Sequence, residues 1–305
     1  MTITNSNFAK AIFPGLKRIW GDTYKMYPEQ HLDFCYKHTS DKNREEYLGF
    51  SGLGLAAIKG EGAATAYDNM EQGLLSTLNN VSYGLGYQIT REARDDGNYM
   101  EMATARTKAL SRSFRITKET VAANMLNRGF NSSYTGADGV ELFSTAHLNK
   151  SGSTYSNHPA TAADLSEASL EAADIAISGF TDDRGLEIMC QSRKLIIPKE
   201  LKFEAKRILS SDLQNDTANN ATNALKDLNT IAGGYSVNNY LSDVDAWFIT
   251  TDITDMGDGL IYQERVADEF SNDSDFNTDN ALFKGYGRYV FGWADPRGCY
   301  GSPGA

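Results

Sequence analysis

The sequence predicts a mixed α+β fold, and three features of it carry that expectation. A run of about 30 residues, Tyr99 to Arg128, repeats its apolar side chains at helical spacing. A glycine-rich stretch, Gly49 to Gly62, follows short strand-like runs. The remainder alternates short amphipathic helices with strand patterns, and no internal repeat of 20 to 50 residues organises it. Six prolines against 27 glycines favour long elements and bent hairpins over a proline-rich linker protein.

In chain order, Phe8, Ile12, Leu16, Ile19 and Trp20 give a short amphipathic arm that Pro14 and Gly15 interrupt. Such a helix is marginal alone and needs a surface to pack on. Phe34-Cys35-Tyr36 and Tyr47-Leu48-Gly49-Phe50 read as short strands leading into a glycine-rich extended hairpin. In the long helix Leu110, Phe114, Thr117, Val121 and Met125 form one stripe, with Arg106, Lys108, Arg112, Arg115, Lys118 and Glu119 on the other faces. Asp95 and Asp96 precede it, and Gly129 is placed to end it with a left-handed residue. At ~1.5 Å per residue the helix is a rod of roughly 45 Å, long enough to be a spine for the whole fold.

Asp138-Gly139 and the polar run Asn149 to Asn157 read as loops. Asp164 and Glu167 predict a helix start that should stop at Gly179, and Asp182-Asp183-Arg184-Gly185 a turn. Strands are expected at Leu186 to Met189 and Lys194 to Ile197. Pro198 then opens a helix through Leu201, Ala205, Ile208 and Leu209. Ser210 to Thr222 reads as a mobile loop, Trp247 to Thr250 as a strand, and Leu282 to Trp293 as a strand apolar on both faces.

The totals exclude several functions. With 29 basic and 40 acidic residues the net charge is −11, opposite to the basic stripe that tight DNA binding needs. An acidic wall that repels packaged DNA suits a container. Cys35, Cys190 and Cys299 are three in number and far apart, which indicates neither a disulfide framework nor a zinc knuckle. Met1 to Tyr27 lacks a signal peptide's apolar core, and no run approaches the ~18 apolar residues of a membrane span, so synthesis and folding in cytoplasm are expected.

No catalytic, cofactor-binding or metal-binding residue is assigned. Gly49 to Gly62 lacks GxxxxGK[ST], and Gly52-x-Gly54 lacks a third glycine. His31, His38, His147 and His158 share no ligand spacing with a cysteine, and HExxH and GxSxG are absent; polar loop histidines are expected. The loop Asp273 to Asp279 begins like a calcium loop. Thr278 and Lys284, however, stand where such a loop needs glycine and a bidentate glutamate, so a solvated acidic loop is expected. Arg91, Arg94, Arg106, Arg112 and Arg115 cluster around the spine and are expected to face water or a neighbouring subunit.

A resemblance supplies what spacing cannot. Asp138-Gly139 to Leu142-Phe143-Ser144-Thr145-Ala146-His147, then Tyr155-Ser156-Asn157 to Leu165-Ser166-Glu167-Ala168, come first. Phe180 to Gly185 and Leu195-Ile196-Ile197-Pro198 with Ala205 follow, and Phe291 to Gly298 with Gly301 to Ala305 close the set. In this order they resemble the major head subunit of Mu-type tailed phages, within the HK97-fold capsid class, nearly end to end.

The resemblance implies an N-terminal arm at 1–32, an extended E-loop hairpin at 33–78, a P-domain with the spine helix at 79–185, an A-domain at 186–258 and a return to the P-domain sheet at 259–305. It implies a subunit, not an enzyme, that assembles into hexamers and pentamers of a closed icosahedral shell around double-stranded DNA. No cofactor is implied. Portal, scaffold and cement proteins are the expected partners, without a membrane, and the virion, assembled in the bacterial cytoplasm, is the expected place. Some capsids of this class join a lysine to an asparagine, and Lys59 lies in the hairpin, with no sequence feature giving it that role. An encapsulin-like compartment holding cargo enzymes, or a hydrolase with a dispersed site, are the alternatives; internal DNA and assembly state separate them.

Overall fold

The computed structural model describes residues 5–96, 99–149, 152–213 and 222–305, with side chains from Phe13 onward and Arg94 apart. Helix α1 (Asn5–Met26) runs without a break through Pro14. The expected interruption fails because Leu16 and Trp20 bury against a neighbouring helix, and that packing offsets the roughly 3 kcal/mol proline penalty. A 3-10 turn, Gln30–Asp33, leads to β1 (Tyr36–Thr39), so Phe34 and Cys35 precede the strand and serve as core residues. Strands β2 (Arg44–Phe50) and β3 (Gln72–Asn79) form an antiparallel hairpin, followed by β4 (Val81–Ile89) and a short α2 (Arg91–Asp95).

The spine is α3 (Tyr99–Asn127), 29 residues and about 43 Å long. Gly129, beyond its end, is not left-handed: its amide bonds to the Leu126 carbonyl, and a Cβ there would lie 2.5 Å from the Phe143 ring. In the polar run 149–157, Thr154–Tyr155 (β6) pairs with His147–Leu148 (β5), and residues 150 and 151 lie outside the described ones. Helix α4 (Glu167–Ser178) is capped by Ser166, whose Oγ accepts from the Ser169 amide while Ser169 Oγ accepts from the Ser166 amide. Serine takes the place expected of the Asp164–Glu167 pair, and the helix stops at Gly179 as read.

Residues 186–189 form no strand; Glu187 only bridges to Thr181, closing the turn between them. Then come β7 (Ser192–Ile197), α5 (Lys202–Ser210), α6 (Ala224–Asp227), β8 (Tyr235–Val237), β9 (Trp247–Thr251) and α7 (Asp252–Met256). Pro198 stands ahead of α5, whose N-cap is Leu201. Of the polar stretch 210–222, residues 214–221 lie outside the described ones. The chain closes with β10 (Leu260–Ser274), β11 (Ala281–Trp293) and β12 (Cys299–Ser302).

Two four-stranded sheets result, ordered β1-β10-β11-β4 and β12-β9-β7-β8. Strand β11 alternates: Phe283, Gly285, Gly287 and Tyr289 are buried while Leu282, Tyr286 and Val290 are half-buried, so one face is less covered than the sequence suggested. The second sheet packs with α4, α5 and α6 around Trp247, Ile177 and Leu195. The spine's C-terminal half packs with Phe143, Phe248, Tyr262 and Tyr289, and its N-terminal half with Trp20, Phe270 and Phe283. The spine thus spans two of the three cores.

Candidate functional site

A polar stripe on the spine lies inward. Arg115, Lys118 and Glu119, expected on the outer faces, are buried because each meets a partner from elsewhere in the chain. Lys118 Nζ lies 2.9 Å from Asp268 and 4.8 Å from the Tyr289 ring centroid. Arg115 pairs with Glu29 at 2.8 Å and donates to the Tyr24 carbonyl near the C-terminal end of α1. Glu119 accepts from both the His31 backbone and its Nδ1, at 2.9 and 2.7 Å. Burial, with Asp268 beside it, raises the Tyr24 phenol well above its ordinary range, and it donates to Asp268 at 2.5 Å. Burial alone would raise Glu264, yet hydrogen bonds from Lys37 and Tyr262 outweigh it and hold that carboxyl low.

His147 is the second buried histidine, corrected from a loop reading. Its Nδ1 meets Asp138 at 2.5 Å, and its Nε2 lies near the Leu142 carbonyl and Asn157 Oδ1. Asn157 Nδ2 donates to the carbonyls of Leu142, Pro296 and Cys299, tying the loop to the chain's end. This cluster is a staple between segments. His38 bonds the Gly257 carbonyl and His158 packs on Phe130.

Among the described residues no group of three or more His, Cys, Asp or Glu could hold a metal ion. The acidic loop is the β10–β11 turn: Asp275 accepts from the Asn277 amide and Thr278 Oγ1, and Asp279 pairs with Arg91. Of the arginines, Arg91, Arg106 and Arg112 are exposed as expected, Arg106 donating to the Gln88 carbonyl and Arg112 lying over the Tyr27 ring, while Arg115 is buried. A cleft of about 570 Å³ along β4, β10 and β11 is lined by Asp273 and Lys284 among others, and a smaller one of about 200 Å³ by Tyr24, His31, Lys118, Glu264 and Asp268 of the buried cluster.

Large apolar side chains are exposed along the hairpin, as they also are at Ile175, Met189, Phe203 and Phe276 elsewhere on the surface. Beyond β2 and β3 the segment 51–71 carries Leu55 84%, Ile58 102% and Tyr67 96% exposed, with Leu53 and Met70 also outward. Its neck is closed by Ser51 and Glu71, whose backbones bond at 2.9 Å and whose Ser51 Oγ accepts from the Glu71 amide. Below the neck, Ser76 Oγ donates to the Trp293 carbonyl. An exposed apolar cluster of this kind marks an interaction surface. Lys59 is exposed near the tip. The pairs that fix the spine were not visible in local sequence, since their members stand 86 to 150 positions apart.

Comparison with known proteins supplies a family and a fold. The family model for phage capsid proteins matches residues 77–302. No curated protein matches the chain. Among solved structures, a virus-like particle from Pyrococcus furiosus is similar at TM-score 0.53 and 11% identity, covering 95% of this chain and 98% of that one. The capsid of a native GTA particle gives 0.52 and 10%, covering 90% of each. The procapsid of bacteriophage JBD30 gives 0.50 and 14%, covering 98% of this chain and 76% of that one. At these identities the structures establish the fold, an HK97-like one. The chain belongs to the phage capsid protein family. It is a major capsid protein, a shell-building structural subunit and not an enzyme.

Proposed function

We propose that this subunit forms pentamers and hexamers of a closed icosahedral head enclosing double-stranded DNA, and that the head is of the Mu type. The observation that carries the assembly reading is the hairpin: an apolar tip held off the body is a surface that only another molecule can cover. The Mu-type reading rests on the sequence motifs from Asp138 to Ala305. In this proposal 1–32 is the N-arm, 33–78 the E-loop, 79–185 the P-domain, 186–258 the A-domain and 259–305 the return, whose last strand is hydrogen-bonded to β9 in the second sheet. The hairpin lies over an adjacent subunit. Portal, scaffold and cement proteins are the proposed partners, and assembly takes place in the host bacterial cytoplasm.

Sedimentation and negative-stain electron microscopy of the purified protein test this reading. Closed shells or five- and six-membered rings are the expected result, with nuclease-resistant DNA inside heads from infected cells. Uniform small oligomers that never assemble, even with scaffold present, would sink it. Shells filled with protein cargo would move the function to a compartment.

A further inference from the structure

The geometry points to Arg184 as the positioning residue that sets the direction in which the hairpin leaves the body, and so presents its tip to a second copy of this chain. The inference rests on the assembly reading above. Residues 51–71 have no strand ladder of their own beyond the neck, and a two-stranded ribbon is marginal in water. Something on the body must fix where the tip points. The Arg184 guanidinium does this with two nitrogens: Nη1 lies 2.6 Å from Asp68 Oδ2 and Nη2 donates to the Asn69 carbonyl at 2.6 Å. The same Asp68 oxygen accepts from the Gly54 amide on the opposite arm of the hairpin at 2.8 Å, so one contact gathers both arms. Hydrogen bonds from the Gly54 amide, then from Arg184, hold the Asp68 carboxyl below its usual range.

The turn that carries Arg184 is itself rigid. Asp182 Oδ1 accepts from the amides of Arg184 and Leu186, at 2.8 and 2.9 Å, and Gly185 takes φ +85°. Asp183 is tied to the body through Arg297. The hairpin's glycines fit the approach: a Cβ on Gly52 would lie 2.9 Å from Asp182 Oδ2. A planar two-donor fork fixes direction where a lysine's point charge would fix only distance. Holding the tip in one direction lowers the ordering cost of docking it on a neighbour.

Hydrogen exchange on the unassembled subunit, together with assembly kinetics by light scattering and microscopy, tests this. In Arg184→Ala the thermal midpoint of the body should stay at the parent value, the Gly54 amide should exchange about fivefold faster or more, and shells should form more slowly and with more aberrant products. Arg184→Lys should fall between the two, and Asp68→Ala, which removes the acceptor of the Gly54 amide as well as the partner of Arg184, should speed Gly54 exchange at least as much as Arg184→Ala. Unchanged hairpin exchange or parent-like assembly in Arg184→Ala overturns the proposal. A control lacking residues 55–66 separates this from the underlying reading. If that deletion assembles normally, the hairpin's role in assembly is wrong; if it fails to assemble while Arg184→Ala matches the parent, only the positioning role falls.

Discussion

At the scale of single residues the molecule is held by charges placed where apolar side chains would be expected. The side chains of Lys118 and Asp268 are 4% and 1% exposed, and the Tyr24 phenol donates to the same carboxylate. Each is the other's nearest opposite charge, with Glu264 3.8 Å from Lys118 as a second and more distant one, and an isolated buried charge is far costlier than a buried pair. Lys118→Ala should therefore destabilise the subunit by about 3–5 kcal/mol in guanidinium unfolding. The double variant Lys118→Met with Asp268→Asn should lose much less, since it removes both charges together. Equal losses would show that cavity formation, not the orphaned carboxylate, sets the cost. None of these pairings was legible in the sequence. Helical spacing placed Lys118 and Glu119 beside an apolar stripe and assigned them to water, but their partners lie in β10 and in the 3-10 turn before β1.

At the scale of elements, legibility followed how local the controlling physics is. The spine and β11 were placed to within about a turn or a residue because periodicity over a long window outweighs single exceptions. Helix α1 was misjudged at Pro14 because a tertiary surface decided it, and the expected strand over 186–189 was absent because the chain closes locally on 180–182 and Met189 takes φ +52°. The long helix and the sheet touch through a position that looks unremarkable in sequence. A Cβ on Gly285 of β11 would lie 2.5 Å from the Phe114 ring and 3.0 Å from Trp20. The β11 backbone is thus the floor on which α3 and α1 both rest. Gly285→Ala should force them outward and cost about 1–3 kcal/mol, with increased exchange across α1 and little change in the second sheet. A neutral effect on stability would mean that the Phe114 and Trp20 rings can move aside without strain.

At the scale of the whole molecule, the subunit separates what makes it fold from what makes it assemble. Its three cores are closed by contacts within the chain, while the hairpin tip contributes almost nothing to them: Leu55 and Ile58 are 84% and 102% exposed. Substituting fully exposed side chains usually changes stability by no more than about 0.5 kcal/mol. The double variant Leu55→Asp with Ile58→Asp should therefore unfold at the parent midpoint. If the tip is buried against a neighbouring subunit, the same variant should fail to form closed shells, because two carboxylates would be desolvated in an apolar contact without partners. The net charge of −11 already opposes association between like subunits, so added negative charge alone would slow assembly. Raising the salt concentration would screen that repulsion without lifting a desolvation penalty, and Leu55→Ser with Ile58→Ser removes the apolar contact without adding charge. Assembly lost in both variants and not restored by salt would place the driving force in tip burial. Recovery of either variant to the parent rate in high salt would instead make repulsion between acidic surfaces the controlling term.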